Sequence, residues 1–236
     1  MVVCAPKETQ RRGDSLEIRQ TDSLLGATAT GWLIEQAIVG LNGTEDRDKA
    51  RYGQVIEVLR ERKDVVKLLT QLAQTVPRGD VPLRWSLLYV LGEVGDADAA
   101  RFLLKAVVER LPVHDESDGC EGPRDNEVLI RVMAIEAFEN IARRREGIGE
   151  RIIEVFGKVR EPAVVIEAVK AAVRLGLREH VERVLDEGDR WMLDIRTARH
   201  SEVDAEAERT DGGERGFVPP HMCDEHRAPK GACSCN

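Results

Sequence analysis

Apolar residues recur along most of the chain at three- and four-residue intervals, in blocks separated by Gly, Pro, Asn and Asp. That spacing predicts amphipathic helices joined by short turns. The clearest block runs from Val81 to Leu111 and reads as two helices around a tight corner. Pro82 suits a first helical turn, where its missing N–H needs no partner. Leu83, Leu87, Leu88, Val90, Leu91 and Val94 then form a stripe wide enough to be buried on more than one side. Gly95 ends the helix, and Asp96 or Asp98 is placed to cap the next one. The second helix turns Ala99, Phe102, Leu103, Ala106, Val107 and Leu111 inward and Arg101, Lys105, Glu109 and Arg110 outward. Two helices this short cannot bury both apolar faces alone, so the pattern calls for similar pairs stacked on each side.

The remaining blocks supply them. Asp22 to Leu41, with Trp32 among its apolar residues, is expected to be a helix that caps the array. Further helices are expected over Arg47–Arg62 (with Val58 inward) and Val65–Val76. Beyond the Pro112–Arg124 loop, helices are expected from Asp125 or Asn126, over Gly147–Val159, from Pro162, and over Leu177–Leu185. Trp191 and its apolar neighbours close the array. Leu87-Leu88, Ala134-Ile135 and Ala168-Val169 occupy equivalent seats in three copies, and Val55-Ile56 in a weaker fourth. First helices begin near 48, 82, 126 and 162, roughly 34, 44 and 36 residues apart, the long interval carrying the loop.

The stretch RWSLLYVLGEVGDADAARFLLKAV resembles a HEAT repeat of the short bacterial kind found in phycobilisome lyases. Arg84 and Arg131 match the Arg near the start of the first helix; Val165 departs from it in the third copy. The resemblance covers about residues 47–187. It implies an all-α, right-handed α-solenoid of about four HEAT-like helical pairs. Such folds serve scaffolds, lyase subunits and DNA glycosylases, so the resemblance carries no site with it.

The domain layout expected is a flexible arm over 1–20, a repeat domain over 21–200 and an acidic disordered tail over 201–236. Net charge is −8, half of it in that tail, which argues against binding nucleic acid through its phosphates. Only 4% of residues are aromatic, a poor supply for a base-stacking cleft. No apolar run reaches the roughly 20 residues needed to span a bilayer. Five cysteines, an odd number in no disulfide framework, favour a cytoplasmic setting.

Candidate chemistry is concentrated in the tail. Cys223, His226, Cys233 and Cys235, with His221 nearby, offer soft ligands that could hold zinc, although Cys-x-Cys is tighter than the usual Cys-x2-Cys. Cys4 and Cys120 are isolated thiols. His114 lies six residues from Cys120, but a loop gives a nucleophile and base no fixed geometry. The acidic run Asp115, Glu116, Asp118 lacks the Gly and terminal Glu of a calcium loop. Arg143, Arg144 and Arg145 read as cations at a helix C-terminus. Arg84 and Arg131 read as structural ties to a neighbouring repeat. Trp85, Tyr89, Glu93, Glu136 and Asn140 fall on first-helix positions outside the apolar stripe, and stacking would align them into a surface for a protein partner. The expected function is a non-catalytic scaffold or adaptor. The alternatives are metal binding by the tail, or a lyase or accessory role implied by the family resemblance.

Overall fold

The computed structural model describes Gly26, residues 28–112 and residues 122–195, and every regular element among them is helical. Three helices come first: α1 (Ala29–Asn42), α2 (Asp46–Arg60) and α3 (Val65–Thr75). The central pair is α4 (Val81–Val94) and α5 (Ala97–Val108). The long α6 (Pro123–Arg144) follows, then a 3-10 helix over Gly149–Val155. The described chain closes with α7 (Pro162–Arg174), α8 (Arg178–Val184) and a second 3-10 helix over Glu187–Asp194.

Side-chain caps set several of these starts. The Thr28 hydroxyl accepts from the Gly31 N–H at 3.0 Å, and Asp80 accepts from Leu83 N–H at 3.2 Å. Of the two expected caps at the central corner it is Asp96 that acts, accepting from the Asp98 and Ala99 N–H groups. At α2 the cap is Glu45, which forms a reciprocal box with Asp48. Asp64 makes no cap; its carboxylate instead accepts from the Thr30 hydroxyl, tying α3 to α1.

α4 packs along α6, and α6 along α7, each contact joining elements that follow one another in the chain after one intervening element. α3 lies on α4, and α5 on α6, so apolar faces close between successive pairs more than within them. α4 approaches α6 closely at Gly92. A Cβ on Gly92 would stand 2.8 Å from the Ala137 Cα, so only glycine allows this approach. The core runs through all these layers and is built from Leu, Ile, Val and Ala, with Phe138 its largest fully buried side chain.

Three expectations are corrected. The expected helix over Gly147–Val159 is only a short 3-10 helix over Gly149–Val155. Gly147 and Gly157 both have positive φ, which fences off too few residues for a stable α-helix, and Ile152 and Val155 are buried at the i, i+3 spacing natural to 3-10 geometry. Trp191 is 56% exposed, and Met192 and Leu193 make the cover instead. Trp32 (53% exposed) and Val58 point outward, because Ile34 and Ala37 on α1, and Ile56 and Leu59 on α2, already fill the interior.

Candidate functional site

The residues expected to form a partner surface lie on two packed helices, α4 and α6, and those on α4 also hold a neighbouring helix. Trp85, Tyr89 and Glu93 recur at one-turn intervals on α4, and Glu136 and Asn140 do so on α6; all five are half-buried. The Trp85 and Tyr89 rings stack at 5.4 Å with 21° between their planes. Tyr52, from α2, tilts against Tyr89 at 6.3 Å. Glu93 accepts from the Arg60 guanidinium at 3.1 Å through both its carboxylate and its backbone carbonyl. This cluster therefore fastens α2 to α4, correcting the expectation that the core leaves those positions unused. The Tyr52 hydroxyl is buried and has no hydrogen-bond partner among the described residues. Burial, and then the nearby Glu93 charge, push its pKa far above the usual value near 10, so the phenol stays neutral.

A second ionic cluster went unseen in the sequence. Glu139, fully buried on α6, receives Arg174 Nε at 3.0 Å and Nη2 at 2.7 Å, and Arg143 at 2.8 Å. Arg174 also donates to Glu167 at 2.8 Å, and Lys170 closes on the other Glu167 oxygen at 2.8 Å. Burial alone would lower the Arg174 pKa, but the hydrogen bonds it donates to Glu139 and Glu167 raise it. These groups clamp α6 to α7. Arg144 donates to the Gly92 carbonyl and so ties the end of α6 to α4.

The third cluster surrounds the two repeat arginines. Arg84 pairs with Glu127, at 2.9 and 3.3 Å through two nitrogens, with both side chains mostly buried. Arg131 is only 3% exposed and donates to the Val107 carbonyl at 3.1 Å, while its Nε has no partner among the described residues. In the register that pairs Arg84 with Glu127, Arg131 would meet Glu161. Glu161 is instead taken by Arg124 at 2.7 Å. Burial accordingly lowers the Arg131 pKa, against the pull of Glu127 and Glu109.

Arg131 and Glu109 line two hollows at once. One is a cavity of about 240 Å³ between α3, α4, α5 and α6, with Leu88, Phe102 and Ile130 among its walls. The other is an open groove of about 590 Å³ running past the end of α5 to the start of α7. No group of acids, cysteines and histidines among the described residues is arranged to hold a metal ion. The candidate zinc ligands Cys223, His226, Cys233 and Cys235, together with His114 and Cys120, lie outside the described residues. No described helix is long and apolar enough to cross a membrane. No protein-family model, curated protein sequence or solved structure matches the chain.

Proposed function

We propose that the protein is a non-catalytic scaffold or adaptor built as a right-handed α-solenoid of about four HEAT-like helical pairs. One observation carries the reading: α4, α6 and α7 lie side by side in chain order, each tied to the next by a polar clamp above a continuous apolar core. The pairs on this reading are α2 with α3, α4 with α5, α6 with the first 3-10 helix, and α7 with α8. An array of this kind presents an extended grooved surface whose shape depends on each neighbour contact, which suits it to holding another polypeptide. Within the described residues, buried Arg131 and Glu139 bond to neighbouring helices, and buried Glu167 holds the Arg174 that bonds Glu139, as structural ties do.

The test is chemical cross-linking of the full chain in its own cells, identification of the partner by mass spectrometry, and reconstitution from purified components. A reconstituted complex that dissociates when α4–α6 surface positions are changed is the expected result. Substrate turnover by the pure chain, with no partner that reconstitutes, would overturn the reading.

A further inference from the structure

The basic hollows at Arg131 have a definite chemistry. Two of their ion pairs are closed, Arg84 with Glu127 and Arg124 with Glu161. Among the described residues the remaining charged lining is Arg78, Lys105, Arg110, Arg131, Lys158 and Arg160 against the single carboxylate Glu109. The five cations other than Arg131 are exposed and enter no ion pair among the described residues. This positive lining sits on a chain whose net charge is −8, and the acids Asp115, Glu116, Asp118 and Glu121 of the stretch between Pro112 and Gly122 lie outside the described residues. At its centre is a guanidinium taken out of water that has, among the described residues, one carbonyl acceptor and an orphan Nε. Burying a charge so poorly compensated is unfavourable unless a counter-charge arrives, and a carboxylate can engage two nitrogens of a guanidinium side by side.

We infer that the cavity and groove joined at Arg131 form a docking site for an acidic segment of a partner polypeptide, one carboxylate seating on Arg131 and further acids following the groove toward Lys158 and Arg160. The inference rests on the scaffold reading and names its partner's chemistry. Two features favour a peptide over a single small acid. The cations continue well beyond the 240 Å³ cavity into the open groove, and apolar walls beside the charge suit a mixed acidic and apolar segment. A duplex nucleic acid fits less well, because it needs a broad basic face and the rest of this molecule is acidic.

The test uses the full chain and a fluorescein-labelled decapeptide of alternating Glu and Leu, followed by fluorescence anisotropy at about 50 mM salt, where the Debye length is still above 10 Å. Arg131→Gln removes the buried charge, and Arg160→Gln alters only an exposed side chain, so folding is preserved in at least one variant. Arg145→Gln removes the same charge from an exposed position outside both hollows. The expected result is a loss of about tenfold or more for Arg131→Gln, a smaller loss for Arg160→Gln, and less than about twofold for Arg145→Gln. Equal losses for Arg131→Gln and Arg145→Gln would reduce the effect to general surface charge and overturn the proposal. Free glutamate displacing the peptide at equal concentration would assign the site to a small acid. A DNA duplex binding more tightly than the peptide, with loss on the same variants, would assign it to nucleic acid. No binding at all at low salt, as when the chain's own acids fill the groove, also overturns it. Full partner capture by Arg131→Gln together with loss on Trp85→Ala would remove the groove while leaving the scaffold reading in place.

Discussion

Replacing Arg174 by Met is the sharpest probe of how α6 is held to α7. The change removes a guanidinium whose side chain is 8% exposed and strips Glu139, with a side chain at 0%, of its main partner. Breaking a buried pair from one side generally costs about 3–5 kcal/mol, because a charge is left buried. Here Glu139 keeps Arg143 and Glu167 keeps Lys170, so the expected loss is nearer about 2–4 kcal/mol. For a domain of this size each kcal/mol moves Tm by about 2–4 °C, giving a fall of about 5–15 °C. Glu139→Leu is expected to cost a similar amount. The double variant Glu139→Leu with Arg174→Met should cost at least about 1 kcal/mol less than the two single losses added, since neither partner is then stranded. Urea unfolding followed by circular dichroism at 222 nm measures all three. Because the Arg174 pKa is raised, its stabilising contribution is fully present below the unfolded arginine value and lost only above it, so the loss should be constant from about pH 6 to 9. Arg101→Met, which breaks an exposed pair with Asp98, sets the baseline at under about 0.5 kcal/mol. A loss for Arg174→Met no larger than this baseline, or strict additivity in the cycle, would refute the clamp.

Three further outcomes follow from the geometry. Gly92→Ala drives a Cβ into the Ala137 backbone and is expected to destabilise by about 1–3 kcal/mol in the same urea assay. Tyr52→Phe removes a buried hydroxyl without a partner, so stability at neutral pH should hold or rise by up to about 1 kcal/mol. Because Tyr52 keeps its proton in the folded state but loses it near pH 10 when unfolded, the parent protein loses stability as pH rises above about 10; Tyr52→Phe should lose measurably less between about pH 10 and 11 in a melting series. Trp85→Ala breaks the stack on Tyr89 and should lower stability by about 1–3 kcal/mol, without weakening acidic-peptide binding in the anisotropy assay.

Helix positions were legible in the sequence because their signals are local. Pro82, Gly95 and Asp96 mark the ends of α4 and the start of α5, and the apolar spacing marks their buried faces, whereas the Asp80 cap emerges only in the structure. The same rules misjudge Trp32 and Trp191, since hydrophobicity says that a ring prefers burial and not whether its position is already filled by Ile34 or Met192. The structural role of Arg84 was readable from the repeat, whereas its exact partner was not. Glu127 and Arg84 are 43 residues apart, and nothing local says that Glu161 pairs with Arg124 and leaves Arg131 with a carbonyl. Glu139 and Glu167 look like ordinary surface acids on helices.

The two 3-10 helices set an order in which the molecule comes apart. A 3-10 helix has poorer hydrogen-bond geometry than an α-helix, and both lie in the last third of the described chain, beside the seven-residue α8. The helices before them are longer and share a larger core. Opening should therefore begin at the carboxyl-terminal end and advance toward α4, so that amide protons of α8 exchange by local fraying while those of Leu87–Leu91 and Ala134–Phe138 exchange only with global unfolding. A partner gripping both α5 and α7 would bridge the strong and weak portions, and its binding would register as slowed exchange in the weak portion first.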